Sequence, residues 1–233
     1  MSEMFLWIWA TWPGCKMVIT IDGPAGAGKS SVAKRAAAEL GIKYLDTGAI
    51  YRAIALILAE AEVRPDNEEY LREALGKIRV ELRDGKVLVN DFDVSGEIRT
   101  PEVDELASVY SALPAVREAL LGLQQKQKDY GSIIAEGRDV GSVVFPDAEA
   151  KFFLTASPEA RAQRRYNERK AKGKEADYNA ILSAIIQRDK NDSGRDTAPL
   201  KVPDGAIYVD TSDMNEDEVL QFILDKVREI PEK

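Results

Sequence analysis

Between Gly23 and Ser31 the chain reads Gly-Pro-Ala-Gly-Ala-Gly-Lys-Ser-Ser, and the spacing Gly23-x-x-x-x-Gly28-Lys29-Ser30 suits a backbone wrapped around a polyphosphate. Glycines let consecutive N–H groups face phosphate oxygens, and a helix starting there aims its N-terminus at the same charge. Lys29 adds a point charge at the phosphoryl group to be moved, and Ser30 offers an oxygen to magnesium. The flanks are those the motif requires, Ile-Thr-Ile as a strand before it and Ser-Val-Ala-Lys-Arg-Ala-Ala-Ala-Glu-Leu as a helix after it. Gly23, Pro24, Ala25, Gly26, Ala27, Gly28, Lys29, Ser30 and Ser31 are therefore assigned to a nucleoside triphosphate.

A second group of residues calls for a second anion. Arg52, Arg117, Arg138, Arg161, Arg164, Arg165, Arg188 and Arg195 fall in or beside expected loops and helix ends of a chain whose net charge is -8. Arginine is the bidentate phosphate ligand, and eight of them near a phosphate loop point to transfer between two bound anions. The acidic total gives no global field for nucleic acid or acidic membrane.

The 233 residues contain no histidine, which removes the Ser-His-Asp triad, the usual zinc ligands and the commonest general base together. An acceptor hydroxyl would want a base, for which Asp46 or Glu136 could serve. A phosphate monoester, with its second pKa near 6, is already an ionised nucleophile at neutral pH and needs only positioning and charge neutralisation. A GTPase switch would carry Asn-Lys-x-Asp, which is missing. A motor usually ends an apolar strand in Asp or Asp-Glu; Ile133-Ile134-Ala135-Glu136 comes close, but Gly137-Arg138-Asp139 follows at the strand's carboxyl edge, where open α/β sheets bind ligands.

These residues must be positioned by a fold in which apolar runs alternate with helical patterns. The strand-like runs are 17–21, 43–45, 132–136, 151–156 and 206–210, which predicts an α/β class with a mostly parallel sheet flanked by helices. Thr100-Pro101-Glu102 and Ser157-Pro158-Glu159 each place a cap before a proline at the first helical position. Gly131 closes the helix before it, and residues 210–216 form an acidic lead into a last amphipathic helix ending near Glu229. Ile78 to Asp91 alternates with period two around Asp84-Gly85 and predicts a tight antiparallel hairpin. The charged stretch 166–178 reads either as a mobile flap or as a solvated connection between helices.

One cysteine excludes an internal disulfide and suits a reducing cytoplasm. The aromatic segment 1–16 is neither charged like a signal peptide nor long enough to span a membrane. It is expected to be an extension outside the domain, either an upstream start with Met17 as the true first residue or a loosely attached tail, with a surface-docked or membrane-touching arm as the alternative.

Taken in order, ITIDGPAGAGKSSVAK, LDTGAIYRA, DVSGEIRTPEV, LPAVREALL, AEGRDVGSVVFPDA, SPEARAQRR and QRDKNDSGRDTAPL resemble the bacterial cytidylate (CMP/dCMP) kinases, P-loop phosphotransferases of the nucleoside monophosphate kinase group. The resemblance runs from Met17 to the last helix. It implies one domain over 17–230, a monophosphate-binding lobe with its insertion at about 47–115, and a short lid at about 158–176. The implied donor is ATP with Mg2+, the acceptors CMP and dCMP, and the enzyme a cytoplasmic monomer. Motif by motif, Arg52, Arg138 and Arg195 would grip the acceptor phosphate, with Thr47 and Tyr51 lining its seat. Ser108, Arg117 and Asp139 would read cytosine, and Arg188 with Asp192 the sugar hydroxyls. Lys29, Arg161 and Arg165 would act at the transferring phosphoryl group, and Arg164 with the donor. Independently of the family, a carboxylate and a hydroxyl suit cytosine's exocyclic amine, and a guanidinium suits its O2 and N3. Read alone, Thr47 is equally a helix cap, Tyr51 a core ring and Asp139 a partner of Arg138. Another small acceptor, UMP, AMP or a hydroxyl compound such as shikimate, is the alternative.

Overall fold

In the computed structural model the described residues are 16–83 and 85–230; the expected extension apart from Lys16 lies outside them, as does Asp84 of the hairpin turn. The chain runs β1 (Val18–Asp22), α1 (Lys29–Leu40), β2 (Lys43–Asp46), α2 (Thr47–Glu60) and α3 (Glu68–Gly76). It continues through β3 (Val80–Arg83), β4 (Lys86–Val89), β5 (Phe92–Asp93), α4 (Pro101–Tyr110) and α5 (Pro114–Gln125). The last part is β6 (Ile133–Gly137), β7 (Ala150–Thr155), α6 (Pro158–Ala171), α7 (Tyr178–Ser193), β8 (Ile207–Asp210) and α8 (Glu216–Arg228).

Five strands form one parallel sheet in the order β2-β6-β1-β7-β8. Every residue of β1 and β6 is buried, which explains why these strands read as continuous apolar runs rather than alternating ones. One face packs Ile19 and Ile21 against Val32 and Ala36 of α1 and Ile223 of α8; the other packs Ile133 against Ile50 and Ile54 of α2 and Val116 of α5. Burying one such side chain contributes about 1.5–3 kcal/mol. Asp22 lies level with Gly137 and Phe153, so β1 and β6 end together while β7 runs two residues further. The chain leaves β1 toward the α1 face, whereas Val140 and Val144, after β6, pack on the opposite face. The crevice between these two exits is a topological switch point.

The insertion forms the predicted hairpin, with Arg83 opposite Lys86 and Gly85 at φ 75°, and adds a third strand, β5, on β4. Val80, Val87 and Val89 bury its inner face in the α2 side of the core. Thr100 caps α4 and Ser157 caps α6, each through a side-chain oxygen accepting a backbone N–H three residues on. Asn215 and Glu218 form a capping box at the start of α8. The irregular zone is shorter than expected: α6 continues to Ala171, leaving 172–177 between it and α7. Residues 166–171 include Glu, Arg, Lys and Ala, all good helix formers, and Glu168 pairs with Lys172 one turn on. Among the described residues no single helix is long and apolar enough to cross a membrane, and α4 with the segment Pro114–Tyr130 passes that test only as a pair bent by 102°.

Candidate active site

The phosphate loop occupies the crevice. Gly23 stands behind it, where a Cβ would come 1.9 Å from the Leu154 carbonyl oxygen, so no side chain fits between β1 and β7. Pro24 also stays behind the rim, its carbonyl accepting Lys29 Nζ at 2.9 Å. Ala25 to Ser31 line a cleft of about 1120 Å³, and Gly28 enters α1 from the left-handed region at φ 87°. Burial pushes Lys29 down to about 7; Arg138 and Arg188 act in the same direction, while Glu136 and Asp22 oppose them. Ser30 Oγ donates to Glu136 Oε1 at 2.5 Å, and Tyr44 Oη meets the same oxygen at 3.1 Å. A hydroxyl and a carboxylate at the rim of a phosphate loop are hard oxygen donors, which fits magnesium.

The same cleft is lined by Thr47, Tyr51, Arg52, Ser108, Arg117, Arg138, Asp139, Arg161, Arg164, Arg165, Arg188, Asp192 and Arg195. The expected site residues, except Gly23 and Pro24, thus share one wall-to-wall space. Their partners differ from what local sequence suggests. Asp46, not Thr47, caps α2 by accepting the Ala49 N–H at 2.8 Å; Thr47 is the first helical residue and donates to the Glu136 carbonyl at 2.7 Å. Tyr51 packs on the core and also faces the cleft, its ring 5.4 Å from the Arg117 guanidinium carbon. Asp139 pairs with Arg117 and not with Arg138. Burial raises the Asp139 pKa against the pull of Arg117, Arg195 and Arg138. Arg138 instead gives Nε to Asp192 at 2.9 Å, and Arg195 takes the other oxygen of the same carboxylate.

Arg52 contacts Asp46 at 3.1 Å and Asp104 at 3.8 Å, yet its buried Nε has no partner; nor does Nε of Arg188. An orphaned, buried guanidinium N–H costs about 1–3 kcal/mol or more, and an anion in the cleft would satisfy it. The three α6 arginines diverge. Arg161 is held by Asp189 at 2.6 Å and by the Ala25 carbonyl at 3.1 Å; Arg164 donates to Thr211 Oγ1 at 3.1 Å and to the Thr211 carbonyl; Arg165 reaches Asp104 at 3.5 Å. Thus Arg161 braces the phosphate loop, Arg164 lies toward β8 and α8, and Arg165 alone faces the α4 side.

Several residues of the site were not singled out from sequence. Asp104 and Asp189 are the carboxylates that hold Arg52, Arg165 and Arg161, and Tyr44 supports Glu136. Arg99 lines the cleft and donates to Asp46 at 3.0 Å. Only Arg99 had a local signal, its place just before the Thr100-Pro101 helix start.

A parallel sheet with a phosphate loop between β1 and α1, opening on an arginine-lined cleft, defines a P-loop phosphotransferase. A sequence model described as cytidylate kinase matches residues 19–229. The chain belongs to the cytidylate kinase family. It is 48% identical over 210 residues to the cytidylate kinase of Caldanaerobacter subterraneus subsp. tengcongensis, covering 90% of this chain and 94% of that one. It is 50% identical over 216 residues to that of Fervidobacterium nodosum, covering 92% and 97%. Among solved structures, an uncharacterized protein from Eubacterium ventriosum superposes with a TM-score of 0.51 at 12% identity over 92% of this chain and 99% of that one, a likeness of fold alone.

Proposed function

We propose that the enzyme moves the γ-phosphoryl group of ATP to CMP or dCMP. An acceptor phosphate oxygen attacks Pγ, the bond to the β–γ bridging oxygen breaks, and ADP leaves with CDP or dCDP. The observation that carries this proposal is that one cleft joins the phosphate loop to Arg138 and Arg195 converging on Asp192 and to Arg117 paired with Asp139, and that it is also lined by Arg52 and Arg188, whose Nε–H groups are unpartnered. Donor and acceptor would therefore meet in a single cleft, as in-line transfer requires.

In this reading the Gly26–Ser31 backbone and Lys29 hold the triphosphate and Arg164 the donor nucleotide. Magnesium, when bound, would neutralise phosphate oxygens; Ser30 would hold it, with Glu136 beside it. Arg52, Arg138 and Arg195 hold the acceptor phosphate, over a seat lined by Thr47 and Tyr51, while Arg188 and Asp192 meet the sugar. Arg161 and Arg165 act on the transferring group, Arg161 by exchanging Asp189 for a phosphoryl oxygen. Ser108, Arg117 and Asp139 read the base. Uracil would turn a carbonyl toward Asp139 and leave buried groups unpaired, which gives discrimination on the order of 10⁴ in a sealed site.

Residues of about 47–115 would form the acceptor lobe and about 158–176 the lid. A cytoplasmic monomer acting on small nucleotides, with no nucleic-acid or membrane partner, completes the proposal, in keeping with a net charge of -8. The test is ADP release from ATP and magnesium with CMP, dCMP, UMP, AMP, shikimate or no acceptor. Stimulation by CMP and dCMP alone is expected; steady release that CMP does not change would overturn the assignment.

A further inference from the structure

Asp22, the last residue of β1, is fully buried and belongs to neither nucleotide's seat. Its two carboxylate oxygens accept separate backbone N–H groups, Val140 to Oδ1 and Gly141 to Oδ2, each at 2.7 Å. These amides open a single π-helical turn, Val140–Val144, that follows directly on Arg138 and Asp139. At the start of such a turn the N–H groups have no partner within it, so the carboxylate supplies both. The approach is tight: a Cβ on Gly141 would lie 3.0 Å from Asp22 Oδ2 and 2.6 Å from Thr20 Oγ1. Asp22 is also covalently next to Gly23, the first residue of the phosphate loop. One carboxylate therefore ties the segment that carries Arg138 and Asp139 to the segment that cradles the donor.

We propose that Asp22 is a positioning residue, which by holding the Val140 and Gly141 amides fixes Arg138 and Asp139 relative to the phosphate loop and thereby sets selectivity for the acceptor base. The proposal rests on the reading of Arg138 and Asp139 given above. Burying an ionised carboxylate is costly, and two charge-assisted hydrogen bonds to adjacent amides offset that cost only while both oxygens accept. In Asp22→Asn one oxygen becomes an N–H2 facing an N–H donor. The turn must then move, and a shift of about 1 Å in a positioned group can cost about 100-fold.

The test compares Asp22→Asn, Asp139→Ala and the double variant in the full chain, measuring kcat/KM for CMP and UMP, ATP affinity by titration, and Tm. Expected for Asp22→Asn are an ATP Kd within about twofold of wild type and a CMP-to-UMP ratio of kcat/KM lowered at least about tenfold. In the Asp139→Ala background the same substitution should change that ratio by less than about twofold, since the effect runs through Asp139. A ratio that falls in Asp139→Ala but not in Asp22→Asn overturns the proposal alone; an unchanged ratio in Asp139→Ala overturns the base-reading role and the proposal with it. Equal losses for ATP, CMP and UMP with a lowered Tm would show a structural role only and also overturn it. Should Asp22→Asn not fold, Gly141→Ala displaces the same turn with the carboxylate intact: a lowered ratio supports the proposal, and a ratio within about twofold of wild type overturns it.

Discussion

Asp192 in α7 accepts Arg138 Nε at 2.9 Å across the cleft, from a carboxylate only 1% exposed. Arg195 shares the other oxygen, so one buried carboxylate separates two guanidiniums that would otherwise repel. Asp192→Ala removes that partner and is expected to cost about 3–5 kcal/mol in the unliganded protein. Thermal unfolding checks it, with CMP restoring part of the loss because its phosphate replaces the missing charge. Burial alone would raise the Asp192 pKa, but Arg138 and Arg195 outweigh it and hold the carboxyl below its usual 3.8. The pair's contribution is therefore complete above that value and lost as pH falls through the lower folded pKa.

Lys29 titrates near 7 in the free enzyme, since burial and neighbouring arginines disfavour its charge. A bound triphosphate reverses that balance and returns the lysine to its ammonium form. ATP binding should therefore take up about half a proton at pH 7 and approach one at pH 8. Calorimetry in buffers of different ionisation enthalpy measures this directly, and Lys29→Arg should abolish the uptake. Lys29→Ala should abolish turnover while CMP still binds.

Asp104 sits between Arg52 of α2 and Arg165 of α6, at 3.8 and 3.5 Å. It occupies the side of the cleft where an acceptor phosphate would compete for both. These partly exposed pairs are worth about 0–1 kcal/mol, so Asp104→Ala should lower the KM for CMP by no more than about fivefold. Steady-state kinetics at fixed ATP reads the change; a raised KM would mean that Asp104 orients the arginines rather than competing for them.

Glu136 accepts from both Ser30 and Tyr44. Glu136→Gln should raise the magnesium concentration for half-maximal activity by about 10–100-fold, as loss of a group supporting a metal ligand does. Titration of activity with magnesium checks this, and chelation of the metal should stop turnover in wild type and variant alike.

The sheet, the helix starts at Thr100 and Ser157 and the hairpin were legible because their signals are local: apolar runs, a capping side chain before proline, period-two alternation. The phosphate loop was legible for the same reason, its residues being contiguous. What sequence left open is which carboxylate holds which arginine. Arg138 meets Asp192 rather than Asp139, and Arg161 meets Asp189, because tertiary packing brings α6, α7 and the end of β6 together. Arg161, Arg164 and Arg165 lie within five residues of one helix, yet each finds a different acceptor, Asp189, Thr211 and Asp104. Asp46 outcompetes Thr47 as the α2 cap because its oxygen lies one residue earlier, three residues before the Ala49 N–H.

Cytosine selectivity would depend most directly on Asp139, buried against Arg117. The decisive measurement is kcat/KM for CMP relative to UMP in Asp139→Ala and wild type, with KM for ATP recorded alongside. A ratio lowered by about 100-fold or more, with ATP little affected, is the predicted result. An unchanged ratio, or equal losses toward both acceptors and ATP, would contradict the assignment of this cleft as a cytosine-reading site.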